Sequence, residues 1–231
     1  MTSTPTKQLK TEIKAALKAG FAERGWRPQR GNTSTYIAPE SVVGPPLALD
    51  WALDLDSDTY GGARFSGGVH LRSPEVTEIV VGFGPESWPV AFTNFPGDES
   101  ARLLLALDLE TAGGLVDPSG DYHKWLVTEA AELPSAISDF FTMVDGPLAA
   151  WAAPRSTTAA VLDAAASSGE RPDSVAVRTL PTLALLQDRP EVARAVIGRY
   201  EPAEDDSPES VARFETLLSH HFPAYGPLQR G

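Results

Sequence analysis

The chain has 231 residues, 42% of them apolar and 22% charged, with a net charge of −12 at neutral pH and no cysteine. That balance belongs to a globular protein with a sizeable core, and without thiols this chain has no disulfide, thiolate zinc site or cysteine nucleophile. Residues 1–30 carry seven Lys or Arg against two acidic residues, whereas the remainder carries 12 basic and 29 acidic ones, a field that repels nucleic acid and anionic membrane.

The first residues, Met1-Thr-Ser-Thr-Pro-Thr-Lys, lead into an amphipathic pattern rather than the apolar core of a secretion signal. No run approaches the ~20 apolar residues of a membrane span. The cytoplasm is therefore the expected compartment, with no membrane partner.

Leu9, Ile13, Leu17 and Phe21 recur every four residues, which predicts an amphipathic helix. Thr6 is its expected cap and Gly25 its expected end. Lys7, Lys10, Lys14 and Lys18 form a neighbouring stripe, read either as a solvated face or as an RNA-binding one. A turn at 26–31 and a short strand at 35–38 follow. In 47–56 the alternation is strict: Leu47, Leu49, Trp51, Leu53 and Leu55 take one face, and Ala48, Asp50, Ala52, Asp54 and Asp56 the other. This predicts a strand with one wet face.

Residues 58–62 supply a turn, and 63–72 and 76–83 read as two further strands joined through Ser73-Pro74, with a bulge at Gly67-Gly68. Residues 88–95 fit an edge strand, since Pro89 cannot donate to a ladder. Residues 98–112 suit either a buried helix or a strand, with Asp98-Glu99-Ser100 favouring a helix start. From about 121 the pattern turns helical. Residues 133–151 carry Gly146-Pro147 as a kink, and a helix capped by Ser156 or Thr157 ends before Gly169. Residues 175–186 form another helix, and Pro190 and Pro208, the latter after the cap Ser207, open two more. The expected fold class is α+β: an antiparallel meander sheet packed by the N-terminal helix, followed by a C-terminal helical cluster. Residues 1–120 are expected to form the sheet domain, and 121–231 a helical region packed on it or appended to it.

Asp54, Asp56 and Asp58 are spaced like the opening of a calcium loop, but Thr59 stands where that loop needs glycine and Phe65 where it needs glutamate. No metal and no cofactor is expected. Gly82-Phe-Gly84 imitates part of a dinucleotide loop, yet Trp88-Pro89 follows where a helix must begin. His70 shares a predicted strand face with Arg64, Gly68 and Arg72, beside the aspartate strand. His220 and His221 point about 100° apart on a helix and cannot chelate one ion together. Trp26 and Trp88 sit beside turns, where tryptophan can anchor a protein partner.

The layout runs from a basic amphipathic helix through Gly20-Phe21, Gly25-Trp26-Arg27, a polar strand and a meander to a helix ending Gly146-Pro-Leu-Ala-Ala-Trp151. It resembles the bacterial domain-of-unknown-function 4304 family over roughly residues 6–166. The resemblance implies an α+β fold and a bacterial origin, with the later helices as an appendage. It assigns no chemistry to any residue.

The leading functional expectation is a non-catalytic accessory protein, of immunity or regulatory type, that binds a basic protein partner. Its contact residues are expected at Asp54, Asp56, Asp58, Trp26 and Trp88, with the acidic stretch 201–209 as a second region. One alternative is a metal-dependent hydrolase using Asp54, Asp56 and His70. The other is an RNA binder acting through the lysine stripe of the first helix, against which the charge of the remaining chain argues.

Overall fold

The computed structural model describes residues 4–58, 61–87, 105–108, 125–202 and 207–228. The first helix, α1, spans Thr4–Glu23. Its apolar stripe is its buried face: Leu9 is 6% exposed, and Ile13, Leu17 and Phe21 are fully buried. The helix begins before Thr6, which lies inside it and is itself buried. Pro5 suits a first turn and lets the helix start earlier. At the other end Gly25 has φ +77°. The Trp26 amide donates to the Phe21 carbonyl at 2.9 Å and the Gly25 amide to the Ala22 carbonyl at 3.0 Å, the paired bonds of a glycine-terminated helix.

Among the described residues six strands follow: β1 (Arg27–Gln29), β2 (Asn32–Ile37), β3 (Ala48–Ser57), β4 (Ala63–Arg72), β5 (Leu105–Asp108) and β6 (Trp125–Val127). They form one sheet in the order β1-β2-β3-β4-β5, with β6 also paired to β4. The β1–β2, β2–β3 and β4–β6 ladders are antiparallel. With α1 before the sheet and a helical cluster after it, the class is α+β.

Two local readings change. Residues 76–83, read as a strand, lie largely in helix α2 (Pro74–Gly82). Ser73 caps it by accepting from the Val76 amide at 3.4 Å, with Pro74 and Glu75 in the first turn. The buried residues Val76 and Val80 are four apart, so cap, proline and helical spacing outweigh the β-preference of valine. Residues 125–127, read as helical, form β6 because Trp125 and Val127 alternate with Leu126 across a pleat. Within 98–112, residues 105–108 are strand; the proposed helix start at 98–100, the strand at 88–95 and Trp88 lie outside the described residues.

No bulge interrupts β4 at Gly67. Ala63, Phe65, Val69 and Leu71 are all buried, and an inserted residue would have reversed that parity. Gly67 answers a different need. A Cβ there would lie 2.3 Å from the Ala52 carbonyl oxygen and 2.6 Å from Trp51 Nε1. Gly67→Ala is expected to lower the free energy of unfolding by about 1–3 kcal/mol through overpacking against backbone. Urea unfolding checks this, and an unchanged midpoint would contradict the close approach.

By their contacts the residues divide into two compact units. The first comprises Met1–Gly44, Ala48–His70 and Ala106–Pro154, and the second Pro45–Leu47, Leu71–Leu105 and Arg155–Gly231. The core of the first is aromatic. Phe21 lies 4.3 Å from Tyr36, 5.3 Å from Trp26 and 5.3 Å from Phe141, and Phe140 lies 4.8 Å from Trp51. Phe140 and Phe141 come from α3 (Leu133–Met143), which continues through a π-helical turn, Val144–Leu148, into the short α4 (Ala149–Ala152). The expected kink is thus a wider turn around Pro147, whose ring nitrogen cannot donate. Arg24 lies 4.0 Å over the Phe141 ring and grips Asp145 with two hydrogen bonds of 2.7 and 2.6 Å. That grip holds the Asp145 carboxyl below its ordinary pKa. Its stabilisation is present at neutral pH and is lost as pH falls through that depressed value.

The second unit contains α2 and four later helices: α5 (Thr158–Ser167), α6 (Ala176–Leu186), α7 (Pro190–Arg199) and α8 (Pro208–His221). Thr157 caps α5 and Ser207 caps α8, each hydroxyl accepting from the amide three residues on. Every residue from Ala176 to Leu185 is buried, so α6 is the central helix of the unit.

Candidate functional site

The aspartate strand and its neighbour carry most of the polar residues singled out from the sequence, and β3 and β4 are adjacent in the sheet. On β4 the even-numbered residues Arg64, Gly68, His70 and Arg72 are half-exposed while Ala63, Phe65, Val69 and Leu71 are buried, so the first four share a face. On β3 the apolar face is buried from Leu47 to Leu53.

The wet face of β3 is not wet along its whole length. Asp50 is only 3% exposed. His70 Nδ1 lies 3.2 Å from Asp50 Oδ1, and Ile37 of β2 stands directly opposite Asp50. Thr35, on the same face opposite Ala52, is also buried. Further along, Asp54 and Asp56 are exposed. Alternation told which side each residue takes, not how deeply that side is covered.

The five aspartate, histidine and tryptophan positions within the described residues therefore separate. His70 is engaged with Asp50, four residues and about 13 Å of strand from Asp54. Asp58 belongs to the turn after β3: its amide donates to the Gly62 carbonyl at 3.2 Å, and its carboxylate pairs with Arg64 at 3.5 Å with the side chain 12% exposed. Expected to face solvent, it is held inward by that arginine. Trp26 is 7% exposed and stands 5.3 Å from Phe21, so it is a core residue rather than a surface anchor. Asp54 and Asp56 remain as an exposed acidic strand end. Among the described residues no group of three His, Asp or Glu is placed to hold a metal ion.

A histidine face beside an aspartate strand reads either as cross-strand pairing or as an active cleft, and Asp50–His70 is a contact of the first kind. One feature escaped the sequence reading: Leu126, 46% exposed and opposite Arg64 in the β4–β6 ladder. It therefore lies on the same face as Arg64 and His70. The alternation in Trp125-Leu-Val127 was its signal.

Among the described residues no helix is long and apolar enough to cross a membrane. No family model, no curated protein and no solved structure matches the chain.

Proposed function

We propose that the protein is a non-catalytic binding protein that captures a basic protein partner through the acidic end of β3. The observation that carries this reading is the exposure of Asp54 and Asp56 together, on the face that also bears the exposed Leu126. Two exposed carboxylates on a face that also carries an exposed apolar side chain suit a partner that offers Lys or Arg around an apolar contact. The balance of 12 basic to 29 acidic residues beyond residue 30 steers a basic partner inward and raises its association rate. The stretch 201–209 adds charge of the same sign, with Glu201 exposed.

The test is affinity capture from the native host with the full chain and with Asp54→Asn/Asp56→Asn. The double variant should keep its unfolding midpoint, because both side chains face solvent, and should lose the captured protein. Association of the unaltered chain should slow as salt rises, since exposed charges are screened over about 10 Å at 0.1 M. Recovery of RNA that disappears on replacing Lys10, Lys14 and Lys18 would replace this reading with the nucleic-acid one.

A further inference from the structure

Among the described residues, Arg24 alone of the seven basic residues before position 31 has an ion pair, with Asp145. Lys7, Lys14 and Lys18 are exposed on α1 and Lys10 is half-exposed, and Arg27 and Arg30 are exposed just beyond the helix. Glu12, the one acidic residue within the lysines' span, accepts a hydrogen bond from Gln8 at 2.9 Å instead of pairing with a lysine. A chain with 29 acidic residues beyond residue 30 thus leaves the lysine face of its first helix without a carboxylate.

The way the first unit folds explains this. Helix α1 packs on the sheet face that carries Trp51, with the Phe21 ring 6.0 Å from that indole. Asp54 and Asp56 leave β3 on the opposite face, because successive side chains alternate. Both are exposed, and neither has an ion pair among the described residues. The basic and acidic surfaces therefore lie on opposite sides of one sheet and cannot meet within a chain. Their spacings nevertheless match. Lys14 and Lys18 stand one turn apart, about 6 Å along the helix, and Asp54 and Asp56 stand two residues apart, about 6.7 Å along the strand.

We propose that the chain associates head to tail with a second copy of itself, the lysine face of α1 on one copy seated on the Asp54–Asp56 end of β3 on the next. The proposal rests on that strand end being the binding surface described above, and it adds a regulation: a second copy occupies the acidic end until a more strongly basic partner displaces it. With the two surfaces on opposite sides the contact is heterologous, and each added copy offers a fresh acidic end, so association runs past a dimer as concentration rises. Exposed ion pairs contribute little one by one, so the contact is weak and belongs to low salt.

Sedimentation velocity of the nuclease-treated full chain, from about 10 μM to about 1 mM, covers the range of such weak contacts. At about 0.01 M salt, where screening extends over ~30 Å, the average mass should climb with concentration beyond that of a dimer; at about 1 M, where it extends over ~3 Å, the chain should stay monomeric. Asp54→Asn/Asp56→Asn and Lys10→Gln/Lys14→Gln/Lys18→Gln should each stay monomeric at low salt with the native unfolding midpoint. Mixed in equal amounts, the two variants should form a 1:1 complex that does not grow, because each supplies the one surface the other lacks. A monomeric unaltered chain at low salt, self-association of either variant, or failure of the mixture to assemble would overturn the proposal. Capture of a basic host protein by a chain that never self-associates would overturn it while leaving the acidic binding surface standing.

Discussion

Replacing Phe21 by alanine is expected to lower the free energy of unfolding by about 3–5 kcal/mol. Phe21 is fully buried and stands among five aromatic rings, those of Trp26, Tyr36, Trp51, Phe140 and Phe141, at centroid distances of 4.3 to 6.0 Å. Those rings come from the turn after α1, from β2, from β3 and from α3. Their backbones cannot all move inward to fill the space, so the cavity persists and its cost adds to the lost transfer energy. Stacked and edge-to-face contacts are lost besides. Total stabilities of domains are about 5–15 kcal/mol, so the variant should approach the limit of folding. Guanidinium unfolding followed by the fluorescence of Trp26 and Trp51 measures the loss. Phe21→Leu should recover part of it. A loss below about 1 kcal/mol would mean that the cluster collapses freely, against the packing described.

Replacing Arg178 by alanine is expected to cost about 2–5 kcal/mol, because three acceptors lose a charged donor, at about 1–3 kcal/mol for each one left unsatisfied. Arg178 is 2% exposed in the first turn of α6. Its Nε donates to the Ser87 carbonyl at 2.7 Å, Nη1 to the Ser174 carbonyl at 2.6 Å and Nη2 to the Ser210 hydroxyl at 3.1 Å. One side chain thus joins the turn after α2, the segment leading into α6 and the first turn of α8. Without it these acceptors are buried and lose their donor, a penalty larger than the net value of the bonds themselves. Arg178→Lys should not restore stability, because one ammonium cannot reach three acceptors spread around a planar fork. Urea unfolding with amide exchange in α6 and α8 provides the measurement. Native stability in Arg178→Ala would show that water replaces the guanidinium without cost.

The Asp50–His70 pair shows how the site departs from its sequence description. Asp50, Asp54 and Asp56 are equivalent in the alternation, yet Asp50 is buried against His70 and the other two are exposed. Asp58, spaced like them, is drawn to Arg64. Any binding role on this face therefore falls to the distal part of β3.

Much of the fold was legible because it rests on neighbours in sequence. The four-residue stripe of α1, the period-2 run of β3, the Gly25 stop, the Thr157 and Ser207 caps and the proline starts at 190 and 208 all act within a turn or two of chain, where backbone geometry alone decides which groups meet. Ser73-Pro-Glu was the same kind of signal, and it outranked the β-branched residues that followed it. What needed the tertiary structure depends on atoms far apart in the chain. The depth of Asp50 is set by His70, twenty residues away. The need for glycine at 67 comes from a backbone carbonyl on the next strand, and at 20 from the Phe141 ring, which would lie 2.1 Å from an added Cβ. That Arg155, Arg171 and Arg199 line one cleft with Glu170 and Asp173 follows from how α5, α6 and α7 pack. Periodicity reports the direction in which a side chain leaves the backbone, whereas burial, close approach and the gathering of charge are properties of what it finds there.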